Sequence, residues 1–320
     1  VVTWRRGQSS VAHVQGQPFL GPNLPAPRDY IYGARDRMDE RYDIIRMVRD
    51  KRFRYIRNYE PNKTFYQYMN TPETGATMRE IRREAAANRL PPAAALFVAE
   101  HKSVEELYEV GADPHEIHNL AGDPRYKDVL ERMRNAHLQW VQDTKDVGLI
   151  PEPELAIREK EAGSRYAILR GDGGDQLVSR LRHVAPLAGE LDASNIGTFV
   201  KTLSDEDAAV RYWGAVGLGN LGSEAASASD ALGQALDDPS GVVRIAAARA
   251  LCRMGRTQPA LAVLAHELEQ GAQWERLHAA IALDELDEIA RPVLDAMKKA
   301  LEPRNELEYN GKYTVRVINR

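Results

Sequence analysis

The sequence predicts two units of different class. The first is an α+β unit, an antiparallel sheet of about four strands with covering helices; the second is an all-α solenoid of stacked helix pairs. Three observations carry this. Between residues 29 and 58, short aromatic and β-branched runs alternate with period two, the pattern of strands with one covered face. Between 77 and 143, helical spacings flank one more strand-like run, SVEELYEV. From about residue 176 the sequence aligns with itself at a nearly constant offset, the mark of a repeat architecture. The implied division is an irregular arm (1–28), the α+β unit (29–145), a linker (146–175), the repeats (176–302) and a tail (303–320). A length of 320 residues suffices for two or three domains, each with its own core.

The arm is rich in Gly, Pro and polar residues, GQPFLGPNLPAPRDY, and predicts no helix. Strands follow near 29–34, 43–49 and 52–58, the first separated from the second by a charged turn and the last two by Asp50-Lys51. In the third, Phe53, Tyr55 and Arg57 fall on one face and Arg52, Arg54 and Ile56 on the other. A Pro, Asn and Tyr loop (59–75) leads to a helix over Thr77–Arg89, stopped by Pro91-Pro92. After SVEELYEV, Asp113-Pro114 turns the chain and Asp123-Pro124 opens a helix to about Asp143. Its Val129, Met133, Leu138 and Val141 recur at helical spacing and predict a face laid on the sheet. LIPEPELAIREKEAG, rich in Pro and Glu, reads as the linker.

In the second unit, Leu203, Arg211 and Gly222 align with Leu236, Arg244 and Gly255 at an offset of 33. A third, weaker copy places Arg276 on Arg244 and Leu283 on Leu251 at an offset of 32. Val243, Ala247, Ala250, Leu251 and Met254 form an apolar stripe, and Gly222 and Gly255 sit where helices end. The segment DDPSGVVRIAAARAL resembles the short HEAT repeat, in which helix pairs bury their cores only against neighbours. The third copy has Glu275 where Val243 stands and Asp287 where Gly255 stands, as a terminal cap would. The recurring Asp205/Arg211 and Asp237 or Asp238/Arg244 read as an N-cap and a bond between repeats.

Composition excludes several function classes. With 43 basic and 47 acidic residues, the net charge of −4 lacks the positive excess that phosphate-backbone binding needs, so nucleic acid is not an expected partner. No run of about eighteen apolar residues exists, hence no membrane-spanning helix is predicted. The single cysteine, Cys252, excludes a disulfide framework and a Cys-rich zinc module but leaves the compartment open. It lies on the inner stripe of a repeat helix and reads as a buried structural thiol.

Two clusters could carry chemistry. His115 and His118, in ELYEVGADPHEIHNLAGDPRY, would share a helix face, yet Asp113-Pro114 favours a turn and no nearby His or Cys completes a ligand set. They read as solvated turn histidines, with Asp113 and Asp123 as caps. ARDRMDERYD is denser: Arg35, Arg37 and Arg41 interleave with Asp36, Asp39, Glu40 and Asp43. This is either a salt-bridged loop tied to the sheet or a bidentate grip on sulfate, phosphate or carboxylate.

The stretch ELYEVGADPHEIHNLAGDP fits E-L-Y-[ED]-x3-D-P-x-E-x2-N-L-A-x-[DN]-P. It resembles a signature near the C-terminal end of sulfatases of the alkaline-phosphatase superfamily. QGQPFLGP and DYIYGARDRMDERYDIIRMVRDKRFRYIRNYEP upstream resemble the branch related to heparan N-sulfatase (N-sulfoglucosamine sulfohydrolase), so the resemblance covers about residues 13–145. It implies a four-stranded antiparallel sheet with a long helix, packed in the family against a larger catalytic domain. That domain holds a formylglycine made from C/S-x-P-x-R and a calcium ion. This sequence has no such motif, so the resemblance implies no catalytic or metal residue and no cofactor in this chain; calcium and formylglycine are expected only in the missing catalytic domain. The N-terminus, VVTWRRGQSS, has neither an initiator Met nor a signal pattern, and the chain is expected to begin just after that domain would end. Export of the full protein would make it periplasmic or secreted.

The resulting expectation is the non-catalytic C-terminal portion of a sulfatase, partnered by the catalytic domain and acting on sulfated carbohydrate. Arg35, Arg37, Asp39 and Glu40 are its candidate substrate contacts. The alternative is an interaction module whose solenoid binds a protein partner, with the sulfatase-like unit as a platform. In either case the sheet face meant for the catalytic domain, with part of the hairpin's Tyr and Ile set, is expected to be exposed.

Overall fold

The computed structural model describes residues 16–17, 20–22, 24–302 and 309–318, the first three of the last segment as backbone. Most of the predicted arm, and residues 303–308 and 319–320 of the tail, lie outside the described residues. The architecture is a four-stranded antiparallel sheet joined to a helical solenoid.

The strands are β1 (Ile31–Met38), β2 (Arg41–Arg49), β3 (Phe53–Asn58) and β4 (Glu105–Glu109), ordered β1-β2-β3-β4. Between β3 and β4 run α1 (Asn70–Glu73), α2 (Ala76–Ala86) and α3 (Pro92–Val98). After β4, Asp123 accepts a hydrogen bond from the Arg125 N–H at 2.9 Å and opens a short turn into α4 (Lys127–Thr144). α4 covers one sheet face: Leu130 and Met133 pack with Val48, Phe53, Tyr55 and Leu107.

β1 is longer than the alternation predicted. The supposed charged turn continues as strand to Met38, leaving only Asp39 and Glu40 to turn, with Asp39 at φ 50°. Asp36 and Arg37 are accommodated there because each has an ion partner, Arg46 and Glu152 respectively.

The segment read as a linker is α5 (Glu152–Ala162), begun by Pro151. The acidic residues of its first turn are buried against partners rather than solvated: Glu152 meets Arg37 and His278, and Glu154 accepts from Ser240 Oγ at 2.6 Å. The solenoid is α6 (Gly174–Gly189), α7 (Ile196–Thr202), α8 (Ala208–Leu221), α9 (Ser229–Gln234), α10 (Gly241–Arg253), α11 (Thr257–Gln270), α12 (Gln273–Leu286) and α13 (Leu294–Lys299). Part of the predicted tail is a further helix, α14 (Tyr309–Ile318), lying on α12.

The repeat bonds form a ladder. Arg211 is bidentate to Asp238 of the next repeat at 2.7 and 2.9 Å, and Arg244 reaches Glu267 at 2.7 Å. The cap of α8 is Asp207, two residues beyond the expected Asp205, whose carboxylate instead accepts from the Asp207 N–H at 2.8 Å. Gly222 and Gly255 take φ of 56° and 80° after their helices; Asp287 takes the same place after α12 at φ 48°, in a half of the map that favours glycine.

α6, α8, α10 and α12 stack as one row. Most residues of α8 and α10 are buried, as a helix covered on every side must be. One side of the row meets α7 and α11. The other meets the α+β unit: Tyr42, Ile44, Tyr59 and Val141 share a core with Phe199, Trp213 and Leu277. Trp213 Nε1 donates to the Leu149 carbonyl at 2.7 Å, and Arg57 donates to the Pro186 carbonyl at 2.6 Å. Part of β2, Tyr59 and the end of α4 therefore join the core of the repeats, while the layer between the sheet and α4 forms a second cluster of its own.

Candidate anion-binding surface

The end of the β1–β2 hairpin brings the four predicted residues together and gives them different tasks. A register shift between Arg35 and Arg37 sends Asp36 and Arg37 out of simple alternation. Arg37 Nε donates to Glu152 Oε2 at 2.5 Å, and its guanidinium lies 5.1 Å from the Tyr42 ring and 5.2 Å from the Trp274 ring. Asp39 accepts from the Tyr313 hydroxyl at 3.2 Å. Glu40, 3% exposed, accepts from Arg316 at 3.0 Å and from the Asn70 N–H at 3.3 Å. Arg37, Asp39 and Glu40 thus tie the hairpin to α5, α12, α14 and α1.

Arg35 differs. It lies on the sheet face opposite α4, and its Nε and Nη2 are buried with no hydrogen-bond partner. Behind it the wholly buried Arg46 is held by Asp36 at 2.8 Å and Asp146 at 2.6 Å. These pairs raise the Arg46 pKa even though burial opposes them. The sheet face carrying Arg35 also presents Met47, Ile45 and Ile56, half-buried, and Ile31, exposed. The tyrosines expected on an exposed face are instead buried: Tyr55 lies under α4, and Tyr42 and Tyr59 face the solenoid.

Beside the hairpin end, a groove of about 560 Å³ runs between residues 62–68 and helices α10 and α12. Arg41, Lys63, Tyr66, Arg249 and Arg253 are among its walls. Lys63 sits 2.9 Å from Glu60 and 3.7 Å from Glu285, and Arg249 pairs with Glu285 at 2.5 Å. Arg253 lines the groove half-buried; burial, then Arg249 nearby, pulls its pKa down. Burial, then Arg35, does the same to Arg41. Glu40, Glu100, Asp284 and Glu285 line the same groove, so its walls carry both signs of charge.

The sequence pattern singles out Arg41 but not Arg249 and Arg253, which meet it only when the repeats fold against the sheet. The recurrence of Arg on α10, in RALCRMG, was their one visible signal.

The stretch ELYEVGADPHEIHNLAGDPRY is structural. Asp113 accepts from the Ile117 and His118 N–H groups, each at 2.8 Å, and closes the loop through its side chain. Asn119 Oδ1 accepts from the Leu107 N–H at 3.0 Å and fastens the loop to β4. Cys252 is buried, and burial pushes its thiol up to about 11. Among the described residues no three His, Cys, Asp or Glu side chains converge to hold a metal ion.

Comparison with known proteins agrees with both halves of this picture. Residues 196–284 match the family model for HEAT repeats. An ulvan-active sulfatase of Formosa agariphila is 38% identical over 149 residues, covering 47% of this chain and 25% of the relative. A second ulvan-active sulfatase of that organism is 32% identical over 133 residues, covering 41% and 24%. Human N-sulphoglucosamine sulphohydrolase is 46% identical over 55 residues, covering 17% and 11%. The chain spans about a quarter of the length of the two bacterial relatives. No helix among the described residues is long and apolar enough to cross a membrane. The chain is thus a sulfatase-related protein that carries HEAT repeats.

Proposed function

We propose that this chain is the C-terminal, non-catalytic portion of a sulfatase that acts on sulfated carbohydrate together with a catalytic portion supplying formylglycine and calcium. The observation that carries this reading is the 38% identity to an ulvan-active sulfatase over 149 residues, in a chain without C/S-x-P-x-R. Within it, Arg35 contacts sulfate or sugar through its unpartnered donors, while Arg37, Asp39 and Glu40 hold the hairpin that presents it. The half-buried Met47, Ile45 and Ile56 face docks on the catalytic portion. The repeats hold the α+β unit rigid from behind.

A protein partner for the solenoid would have to use the outer row, because the inner row is covered by the chain's own sheet unit. Two assays test the proposal. With calcium added, the chain alone should not turn over an aryl sulfate or N-sulfated glucosamine above the buffer blank; turnover would overturn its non-catalytic assignment. Heparin fragments should bind with strong salt dependence and more weakly to Arg35→Ala. Equal binding by that variant would remove Arg35 from the site.

A further inference from the structure

Between residues 60–63 and helices α8, α10 and α12, where the sheet unit meets the repeats, lies a chamber of about 50 Å³. At roughly 10–15 Å³ for one water-sized group, it has room for a few heavy atoms. Asn62, Lys63, Arg249, Ile281 and Glu285 line both this chamber and the groove of about 560 Å³ described above, so the two adjoin. Neither takes part in the proposed sulfatase role.

The charges in the chamber wall balance. Glu60 and Glu285 carry one sign and Lys63 and Arg249 the other, while His278 is neutral because burial lowers its pKa against the pull of Glu152. The hydrogen bonds do not balance. Lys63 is engaged, 2.9 Å from Glu60, 3.0 Å from the Tyr42 carbonyl and 3.7 Å from Glu285. Glu60 is 5% exposed and gives one oxygen to Lys63; the other, Oε2, has no partner. Burial raises the Glu60 pKa against the pull of Lys63, the mark of a carboxylate short of donors. Arg249 donates from Nε to Glu285 at 2.5 Å, and its two terminal nitrogens bond to no described residue. One turn further along α10, Arg253 on the groove makes no hydrogen bond or ion pair with a described residue; Glu285 and Glu100 act on it at longer range. Of the other groove acids, Glu40 is taken by Arg316, Asp284 has a partner of its own, and Glu100 stands in solvent beside His101.

One buried acceptor and one set of cationic donors are therefore left over in a chamber that is already neutral. A lone ammonium or a lone carboxylate would use one of them and leave a net charge among Val216, Ile245 and Ile281. A molecule with both groups uses both and keeps the balance. The α-ammonium and α-carboxylate of an amino acid meet that requirement, and an apolar side chain suits those walls.

We propose that the chamber binds the zwitterion of an apolar amino acid, its ammonium on Glu60 and its carboxylate on Arg249, either as the free amino acid or as a dipeptide whose carboxylate extends along the groove to Arg253. Isothermal titration calorimetry of the full chain at pH 7.5 tests it with leucine, leucyl-leucine, 4-methylpentanoate and 3-methylbutylamine. The last two are leucine without its ammonium and without its carboxylate. Saturable binding of leucine or leucyl-leucine is expected, at least about tenfold tighter than either half molecule. The tighter of the two identifies the source. Arg253→Gln, which breaks no ion pair, should leave leucine binding unchanged and weaken leucyl-leucine about tenfold; any other pattern overturns the placement. Glu60→Gln keeps the shape and an acceptor for Lys63, and should weaken both ligands about tenfold. In ¹³C spectra of the native chain, the Glu60 carboxyl resonance should move during the titration. The proposal is overturned if neither ligand binds, if either half molecule binds as tightly, if Glu60→Gln binds unchanged, or if the Glu60 resonance does not respond.

Discussion

Replacing Trp213 by Phe tests the join between sheet unit and repeats with one atom pair. The indole is fully buried on α8 within a cluster that includes Tyr59, 6.2 Å away, and Tyr212, 5.5 Å away. Its Nε1–H is the donor to the Leu149 carbonyl, 64 residues earlier in the chain. Phe keeps a ring in the core but loses that donor and part of the ring volume. A buried carbonyl deprived of its partner costs about 1–3 kcal/mol. The lost ring atoms add a fraction of the roughly 3–5 kcal/mol that full truncation to Ala would cost. A loss of about 2–4 kcal/mol is therefore expected. Equilibrium urea unfolding should show a lower midpoint with an unchanged slope. Native-state hydrogen exchange locates the effect. Protection should fall at the Tyr59 amide, which donates to the Ile44 carbonyl at 3.0 Å, as well as along α8. A loss below about 0.5 kcal/mol, or one confined to the repeats, would refute the shared core.

Four further outcomes follow from individual contacts. A methyl at Gly217 would lie 2.6 Å from ring atoms of the buried Phe199, so Gly217→Ala should destabilise by about 1–3 kcal/mol in the same urea assay. Gly197→Ala, where an added Cβ meets nothing, should be neutral or stabilising by about 0.4–1 kcal/mol. His137 is held neutral down to about pH 3 in the fold but takes a proton near 6.5 when unfolded. Stability should therefore fall as pH drops through that window, by about 1.4 kcal/mol for each unit, and His137→Gln should flatten the slope relative to the native chain. The Asp113 carboxyl, held below its ordinary value by the His118 and Ile117 N–H groups, should titrate below 3.8 by ¹³C NMR. Its stabilising effect is present above the ordinary value and disappears as pH falls through the folded one; a midpoint at or above 3.8 would remove the side-chain closure of this loop.

Much of the fold was legible because period and punctuation agreed. The Asp50-Lys51 hairpin, the face shared by Phe53, Tyr55 and Arg57, and the apolar stripe of α10 all follow from local pattern. Local pattern failed where charge is buried by distant partners. ARDR looked like a turn, yet it is strand because Arg46 and Glu152 accept Asp36 and Arg37 into the structure. PEPELAIREKEA looked like a solvated linker, yet its first turn is buried because Arg37, His278 and Ser240 wait for Glu152 and Glu154. The candidate site was half legible for the same reason. The Arg35 cluster is contiguous in sequence, whereas Arg41, Arg249 and Arg253 are gathered only by the docking of repeats on sheet. Nothing in the spacing of Glu60, Arg249 and Glu285 announces their common chamber.

The claim on which the account rests is that the α+β unit and the HEAT repeats form a single cooperative body through the core they share around Tyr42, Tyr59, Val141 and Trp213. Differential scanning calorimetry of the full chain tests it most directly. One transition with equal calorimetric and van't Hoff enthalpies is predicted. Two resolved transitions, or a calorimetric enthalpy about twice the van't Hoff value, would contradict it.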